Sequence, residues 1–226
     1  VLWDDPNERL DHMVNNYRRD NWQDQPNWVE VWSEKGTVRG ILDPILNKYG
    51  IPFRVQHGFS SKTVMHDVAI QTQYSDKPLT ILYVGDYDPS GMYMSDVDVP
   101  KRLTQYNGFA TIKRIALIDK DIEDDDKGNE KLTSFPAKDK EKDARYSWFV
   151  ERYGEKCWEL DAMSPVILRE RVELEILNMM DIDVWNRALH IEKAEVEAFH
   201  HYQDSWKESI SHQVAKYSAF NEALAA

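Results

Sequence analysis

The stretch Thr80-Ile81-Leu82-Tyr83-Val84, running into Gly85-Asp86-Tyr87-Asp88-Pro89-Ser90-Gly91, decides how the rest of the chain is read. A short apolar run bounded by polar residues has the pattern of a strand buried on both faces, and such strands belong to parallel sheets covered by helices. The glycines, with the Asp-Pro and Ser-Gly pairs, then turn the chain. Two carboxylates therefore stand just past the end of a buried strand.

The flanking sequence repeats the same alternation. Trp28 to Ser33 reads as a first strand, and Val38, Ile41, Leu42, Ile45, Leu46 and Tyr49 form one stripe of a helix that Gly50 stops. Pro44, inside that helix, is expected to kink it or to mark a register change. Pro52 to Gln56 reads as a second strand. Ser60 or Ser61 can cap a helix that turns Val64, Met65, Val68 and Ala69 inward. Residues 91–107 are weakly helical, and Thr111 to Ile118 reads as a fourth strand. The order β-α-β-α-β-α-β predicts an α/β domain, a parallel sheet covered by helices. In such sheets ligands bind at the carboxyl ends of the strands.

The ends of the chain differ from this middle. Residues 1–27 read as a helix, with Leu10, Met13, Val14 and Tyr17 at helical spacing, followed by a linker. From about Glu192 one long C-terminal helix is expected. Phe199, Tyr202, Trp206, Ile210, Val214, Tyr217, Phe220 and Leu224 step by three or four along it, close to a heptad seam. That stripe is read as packing against the core or against a second copy. Asp119 to Glu130 is acid-rich and reads as a solvated loop. Residues 156–161 read as a further strand, and Ser164-Pro165 as the start of a helix. The expected division is 1–27, 28–185 and 186–226. The opening at Val1, directly in helix-like sequence, suggests that an upstream domain is missing.

Composition narrows the function. The 226 residues carry a formal charge of −12, so the overall field does not attract a phosphate backbone. Contact with nucleic acid would need bound cations, a local basic patch or a further basic domain. Cys157 is the single cysteine, which excludes an intramolecular disulfide framework and suits a reducing cytoplasm. No apolar run approaches the roughly 20 residues of a bilayer span, so no membrane partner is expected. No Walker A loop and no Gly-x-Gly-x-x-Gly is present, and the seven histidines form no zinc spacing.

Three groups of acids fall where strands are expected to end: Glu34, then Asp86 and Asp88, then Glu159 and Asp161. Period two puts each of the later pairs on one face if its strand continues. Clustered carboxylates repel one another, and a hard divalent cation is the simplest compensation. Plainer roles stand beside this one. Asp86 and Asp88 could be turn formers, Glu34 a surface acid or cap, and Glu159 and Asp161 the polar face of an edge strand. The metal reading requires the acidic tips to converge with no lysine or arginine filling the gap between them.

Glu34-Lys35, Asp86-Tyr87-Asp88-Pro89-Ser90-Gly91 and Glu159-Leu160-Asp161-Ala162-Met163, in that order, resemble the Toprim domain. The details lean towards the topoisomerase VI-like branch of that family and related phage and bacterial proteins. In the latter a Pro-Ala-Lys…Asp-x-Arg segment precedes the last strand, as Pro136-Ala137-Lys138 and Asp143-Ala144-Arg145 do here. The resemblance spans about residues 28–185. It implies that Glu34 ligates a metal or acts as general base and acid, and that Asp86 and Asp88 hold Mg²⁺ or Mn²⁺. It further implies that Glu159 and Asp161 complete a second site, and that Lys138 and Arg145 stabilise phosphate charge. Gly85 and Gly91 would let the backbone bend near the metal. The activity implied is metal-dependent cleavage of nucleic-acid phosphodiesters, with DNA the expected substrate. A topoisomerase would need a tyrosine nucleophile on an upstream winged helix, for which residues 1–27 are too short, and Tyr87 and Tyr93 match no nucleophile motif. A nuclease is the leading reading. A non-catalytic module assembling through the last helix is the alternative.

Overall fold

The computed structural model describes residues 2, 5–56, 60–122 and 132–225. It forms two compact units, one from Gln25–Asp181 and one from the two ends of the chain, Val1–Asp24 with Ile182–Ala226. The side chains of Ser60 and Ser61, expected to cap a helix, and the acid-rich stretch 123–130 lie outside the described residues.

The larger unit is α/β. Its strands β1 (Trp28–Ser33), β2 (Phe53–Val55), β3 (Leu79–Val84) and β4 (Thr111–Arg114) form one sheet in the order β2-β1-β3-β4. All three pairings are parallel. Helices α2 (Val38–Tyr49) and α3 (Ser60–Tyr74) supply two of the crossovers. The short α4 (Pro89–Tyr93), a π-helical turn at Met94–Asp98 and α5 (Val99–Gln105) together supply the third. Two further short helices, α6 (Asp119–Ile122) and α7 (Tyr146–Tyr153), follow the sheet in the chain. Every residue of β3 is buried, as its apolar run requires. Period two sends Trp32, Leu79, Ile81 and Tyr83 into one core with Met65, Val68 and Ala69 of α3 and Val99 and Leu103 of α5. Val31, Leu82 and Val84 fall on the other face of the sheet. Leu42 and Leu46 of α2 are buried, as are Leu168, Val172 and Ile176 of α8 (Pro165–Met179), a helix that packs against α2. Glu30 is buried in this interior, takes both ends of the Arg54 guanidinium at 2.6 and 2.9 Å, and accepts from Trp32 Nε1 at 2.7 Å. A paired and fully hydrogen-bonded carboxylate is the form in which burial is tolerated.

Helix α2 continues through Pro44 and stops at Gly50 as expected, where a φ of 64° suits a residue lacking Cβ. Other elements differ from their sequence reading. Strand β4 ends at Arg114 rather than Ile118. The expected strand at 156–161 shrinks to β6 (Lys156–Cys157), which pairs antiparallel with β5 (Phe135–Pro136) in a sheet of its own. Beyond it, Leu160–Ala162 is a 3₁₀ turn, so period two does not place Glu159 and Asp161 on a common strand face.

The smaller unit joins α1 (Pro6–Asn15) to α9 (Ile182–Ala225), a helix of 44 residues. Asp5 caps α1 by accepting from the N–H groups of Asn7 and Glu8. Asp11 accepts from Gln203 and pairs with Lys207, both at 2.6 Å, while Tyr17 donates to Glu195 at 2.7 Å. The segments expected as separate appendages at 1–27 and 186–226 therefore pack on each other. Among the described residues no helix is long and apolar enough to cross a membrane.

Gly91 marks where β3 turns into α4. A Cβ there would lie 2.2 Å from the carbonyl oxygen of Asp86, so the position is closed to any side chain by close approach rather than by bending. Gly91→Ala is expected to destabilise the fold by about 2–3 kcal/mol, read as a lower midpoint in urea with an unchanged slope. A midpoint equal to that of the parent would show that this turn relaxes freely.

Candidate functional site

The strand order 2-1-3-4 reverses direction between β1 and β3, and at such a switch point a crevice opens at the carboxyl ends of the strands. Register places Ser33, the last residue of β1, beside Val84, the last of β3. The chain thus leaves the sheet at Glu34 on one strand and Gly85-Asp86 on its neighbour. Glu34, Asp86 and Asp88 are brought together by this pairing alone, although more than fifty residues separate the first from the others.

Both aspartates are buried and each is held at two oxygens. Asp86 Oδ1 accepts from the backbone N–H of Leu160 at 2.7 Å, and its Oδ2 pairs with Lys35 Nζ at 2.9 Å. Asp88 is the N-cap of α4, its Oδ1 accepting from Gly91 N–H at 2.8 Å, and its Oδ2 lies 3.3 Å from Lys140 Nζ. Glu34 accepts a longer bond, 3.3 Å, from the Ser90 hydroxyl. Burial, then the negative fields of Asp88 and Asp86, hold the Glu34 carboxyl above its ordinary pKa, and the Ser90 bond and the more distant Arg114 offset this only in part. For Lys35 and Lys140 burial works against the charge, yet Asp86 and Asp88 respectively prevail and keep both ammoniums above their usual pKa.

The other expected site residues stand further out. Glu159 and Asp161 are exposed; their fields reach Lys35, and that of Glu159 also reaches Lys140. Lys138 is exposed on the 3₁₀ turn Ala137–Lys140, and it is Lys140, two residues on, that reaches an aspartate. Arg145 grips Asp143 at 2.7 Å through two nitrogens, and the fields of Asp88 and Glu34 still reach it. Tyr87, between the aspartates, is buried edge-to-face against Phe149, Tyr153 and Trp158, with ring centroids 5.6–5.9 Å apart. It exchanges both backbone hydrogen bonds with Trp158 at 2.9 Å. Tyr87 is a packing residue that ties the acidic turn to the segment carrying Glu159. Cys157 is buried, and desolvation pushes its thiol up to about 12, which suits an inert core residue.

One residue without a sequence signal organises the site from below. Arg114, the last residue of β4, spreads its guanidinium over the backbone of the acidic turn. It donates to the carbonyls of Gly85 at 2.8 Å, Gly91 at 3.3 Å and Asp86, and to the Ser95 hydroxyl at 3.2 Å. Its Nε reaches the Leu117 carbonyl at 3.3 Å. A planar fork with five donors can hold several carbonyls at once, which a lysine cannot. Burial lowers the pKa of this guanidinium, an effect opposed by the tyrosine ring of Tyr83 beneath it and by Asp96, Glu34 and Asp86. An arginine at the end of a strand gives no hint of this role in the sequence, and the reading of the residues missed it.

The donor set is the kind a hard cation takes: three carboxylates, each with an oxygen not claimed by a backbone N–H. The arrangement is charge-compensated from within, since two of those oxygens rest on lysine ammoniums. Among the described residues each lysine pairs with one aspartate, and Glu34 has the Ser90 hydroxyl, so the requirement that no lysine fill the gap between the acids is not met: ammoniums occupy the oxygens a metal would need. Among the described residues no three His, Cys, Asp or Glu side chains are already gathered as a metal cage. Glu34, Asp86 and Asp88 thus fit a divalent ion by chemistry and convergence, on the condition that it displaces Lys35 and Lys140. Comparison with protein families, with characterised proteins and with solved structures returns no match for this chain.

Proposed function

We propose that the larger unit is a Toprim-like domain that cleaves nucleic-acid phosphodiesters with the help of Mg²⁺ or Mn²⁺, DNA being the expected substrate. The observation that supports this most is the meeting of Glu34 with Asp86 and Asp88 at the switch point between β1 and β3. Glu34, Asp86 and Asp88 would hold the cation, which when bound supplies Lewis-acid stabilisation of phosphate charge. Glu34 is also suited to accept and return a proton, because its surroundings raise its proton affinity. Lys35 and Lys140, once released from the aspartates, become partners for phosphate oxygens, a role the resemblance gives to Lys138 and Arg145. Glu159 and Asp161, exposed at the rim, bias those two lysines and remain the candidates for a second metal. A formal charge of −12 makes this dependence on bound cations steep.

The two lysine–aspartate pairs favour a second reading, a non-catalytic module whose acids are neutralised for good and whose fold serves assembly. Cleavage assays on single- and double-stranded DNA and on RNA, with Mg²⁺, Mn²⁺ or chelator, separate the two. The first reading expects metal-dependent cleavage that falls by about 10²–10³-fold in Asp86→Ala and Glu34→Ala. Full activity in both variants overturns the assignment, and no cleavage under any condition supports the module.

Arg114→Lys keeps the charge but loses the fork. Mn²⁺ affinity is expected to fall by about tenfold or more while the circular dichroism of the fold is retained. Unchanged affinity would make Arg114 a core residue without influence on the acids.

Glu34 also predicts a pH effect. The folded chain holds the Glu34 proton more tightly than the unfolded chain does, so between the ordinary carboxyl pKa and the raised one the folded state binds more protons. Stability contributed by this group therefore falls as pH rises through that window. Glu34→Gln is expected to melt higher than the parent at about pH 8 and alike at about pH 3.5. A variant that melts lower at the higher pH would show that ionised Glu34 is stabilised by its neighbours.

A further inference from the structure

Two buried polar groups flank Glu34 and have no partner among the described residues. They are the carboxamide of Gln56, at both its nitrogen and its oxygen, and the hydroxyl of Tyr83. Both residues are 0% exposed, so water does not reach either group and a partner has to come from a neighbouring side chain. Buried amides and hydroxyls are almost always hydrogen-bonded, because one left unpaired has given up its water for nothing.

The sheet fixes where these groups lie. Val55 pairs with Ser33, and the Gln56 N–H donates to the Ser33 carbonyl at 2.8 Å. Gln56 therefore stands level with Glu34, on strands about 4.8 Å apart. Two residues before Gln56, Arg54 reaches Glu30, the carboxylate that Trp32 also bonds. Alternate residues of a strand share a face, which puts Gln56 and Glu34 on the side of Trp32. Tyr83 approaches from the other flank of β1. It is in register with Trp32 and packs in the same core. Its ring lies against Gly85, where a Cβ would come 2.7 Å from a ring carbon and 3.2 Å from the hydroxyl oxygen. Gly85 follows Val84, the partner of Ser33, so the Tyr83 hydroxyl also reaches the level of Glu34. Burial, then the field of Glu34, push this hydroxyl above its ordinary pKa, and it remains a protonated donor.

Glu34 has the matching deficit. Its Oε2 takes the long bond from Ser90, and among the described residues its Oε1 takes none. A free acceptor thus stands between two free donors. The last torsion of a glutamine side chain and the hydroxyl of a tyrosine both turn readily. We propose that Gln56 and Tyr83 are positioning residues for Glu34, whose free oxygen takes the Gln56 amide from one flank and the Tyr83 hydroxyl from the other. The two bonds fix the plane of the carboxylate and leave the oxygen on Ser90 for the crevice. What this orientation does for cleavage rests on the function proposed above; the pairing itself does not.

Gln56→Met keeps the length of the side chain and removes the amide. Made in the parent chain, it is expected to lower the urea midpoint, because Glu34 loses a donor. Made in Glu34→Leu, it is expected to raise the midpoint, because there the amide has no carboxylate to bind. Tyr83→Phe, which removes a single oxygen atom, is expected to show the same reversal of sign. A shift of one sign in both backgrounds overturns the pairing: a rise shows an amide that is unpaired throughout, a fall one that is bonded elsewhere. With DNA cleavage in Mg²⁺ as the readout, Gln56→Met is expected to lower kcat by about 10–100-fold at unchanged KM. Equal kcat in variant and parent overturns the positioning role. A parent chain that cleaves nothing removes the function proposed above, and the two midpoints then decide the pairing of Glu34 with Gln56 by themselves.

Discussion

The parallel pairing of β1 with β3 is the contact on which the candidate site depends. Its register stops both strands at the same level, so Glu34 and the Asp86–Asp88 turn leave the sheet side by side. Neither strand chooses its end for the sake of the acids; each ends where its apolar run does. The consequence is an electrostatic problem, since three carboxylates converge in a largely buried crevice. The fold answers it in three ways at once. Backbone N–H groups of Leu160 and Gly91 take one oxygen of each aspartate, Lys35 and Lys140 take the other, and Arg114 binds the carbonyls of the turn from beneath. Glu34 receives the weakest compensation, and its proton affinity rises accordingly.

Much of this was legible in the sequence, for a physical reason. The apolar run of β3 and the stripe of α2 report burial, which is a local property of side chains, and the α/β alternation follows from them. Glu34, Asp86 and Asp88 were legible because position after a buried strand has a fixed spatial meaning in a parallel sheet. Glu159 and Asp161 were misread as strand residues because the pattern Trp-Glu-Leu-Asp alternates like a strand. It instead closes a 3₁₀ turn whose Leu160 is buried and whose N–H is spent on Asp86. Lys140 and Arg114 were not legible at all. Which of several lysines near Pro136 reaches the crevice is set by the path of a short turn, and the task of Arg114 is to bind backbone carbonyls, which have no sequence signature. The packing of α1 on α9 was likewise hidden, because Asp11, Gln203 and Lys207 are ordinary surface residues until they meet.

The lysines at the acids carry the sharpest tension between the two functional readings. An ammonium paired with a buried carboxylate is a satisfied structural element, and in that sense the site is complete without any cation. The same pairing is also what a binding site for a cation looks like when its charge is held by the chain itself, because a flexible four-carbon stem can withdraw where an arginine fork could not. The two pairs come from different segments of the chain, and among the described residues neither ammonium bridges two acids. The backbone-clasping cation, Arg114, binds the carbonyls of the turn, whereas the two lysine ammoniums are placed on the carboxylate oxygens. A divalent ion, with twice the charge of one ammonium and a preference for oxygen, would have to compete with both lysines for those oxygens, while Arg114 holds the turn beneath them, so holding the turn and neutralising its acids fall to different residues.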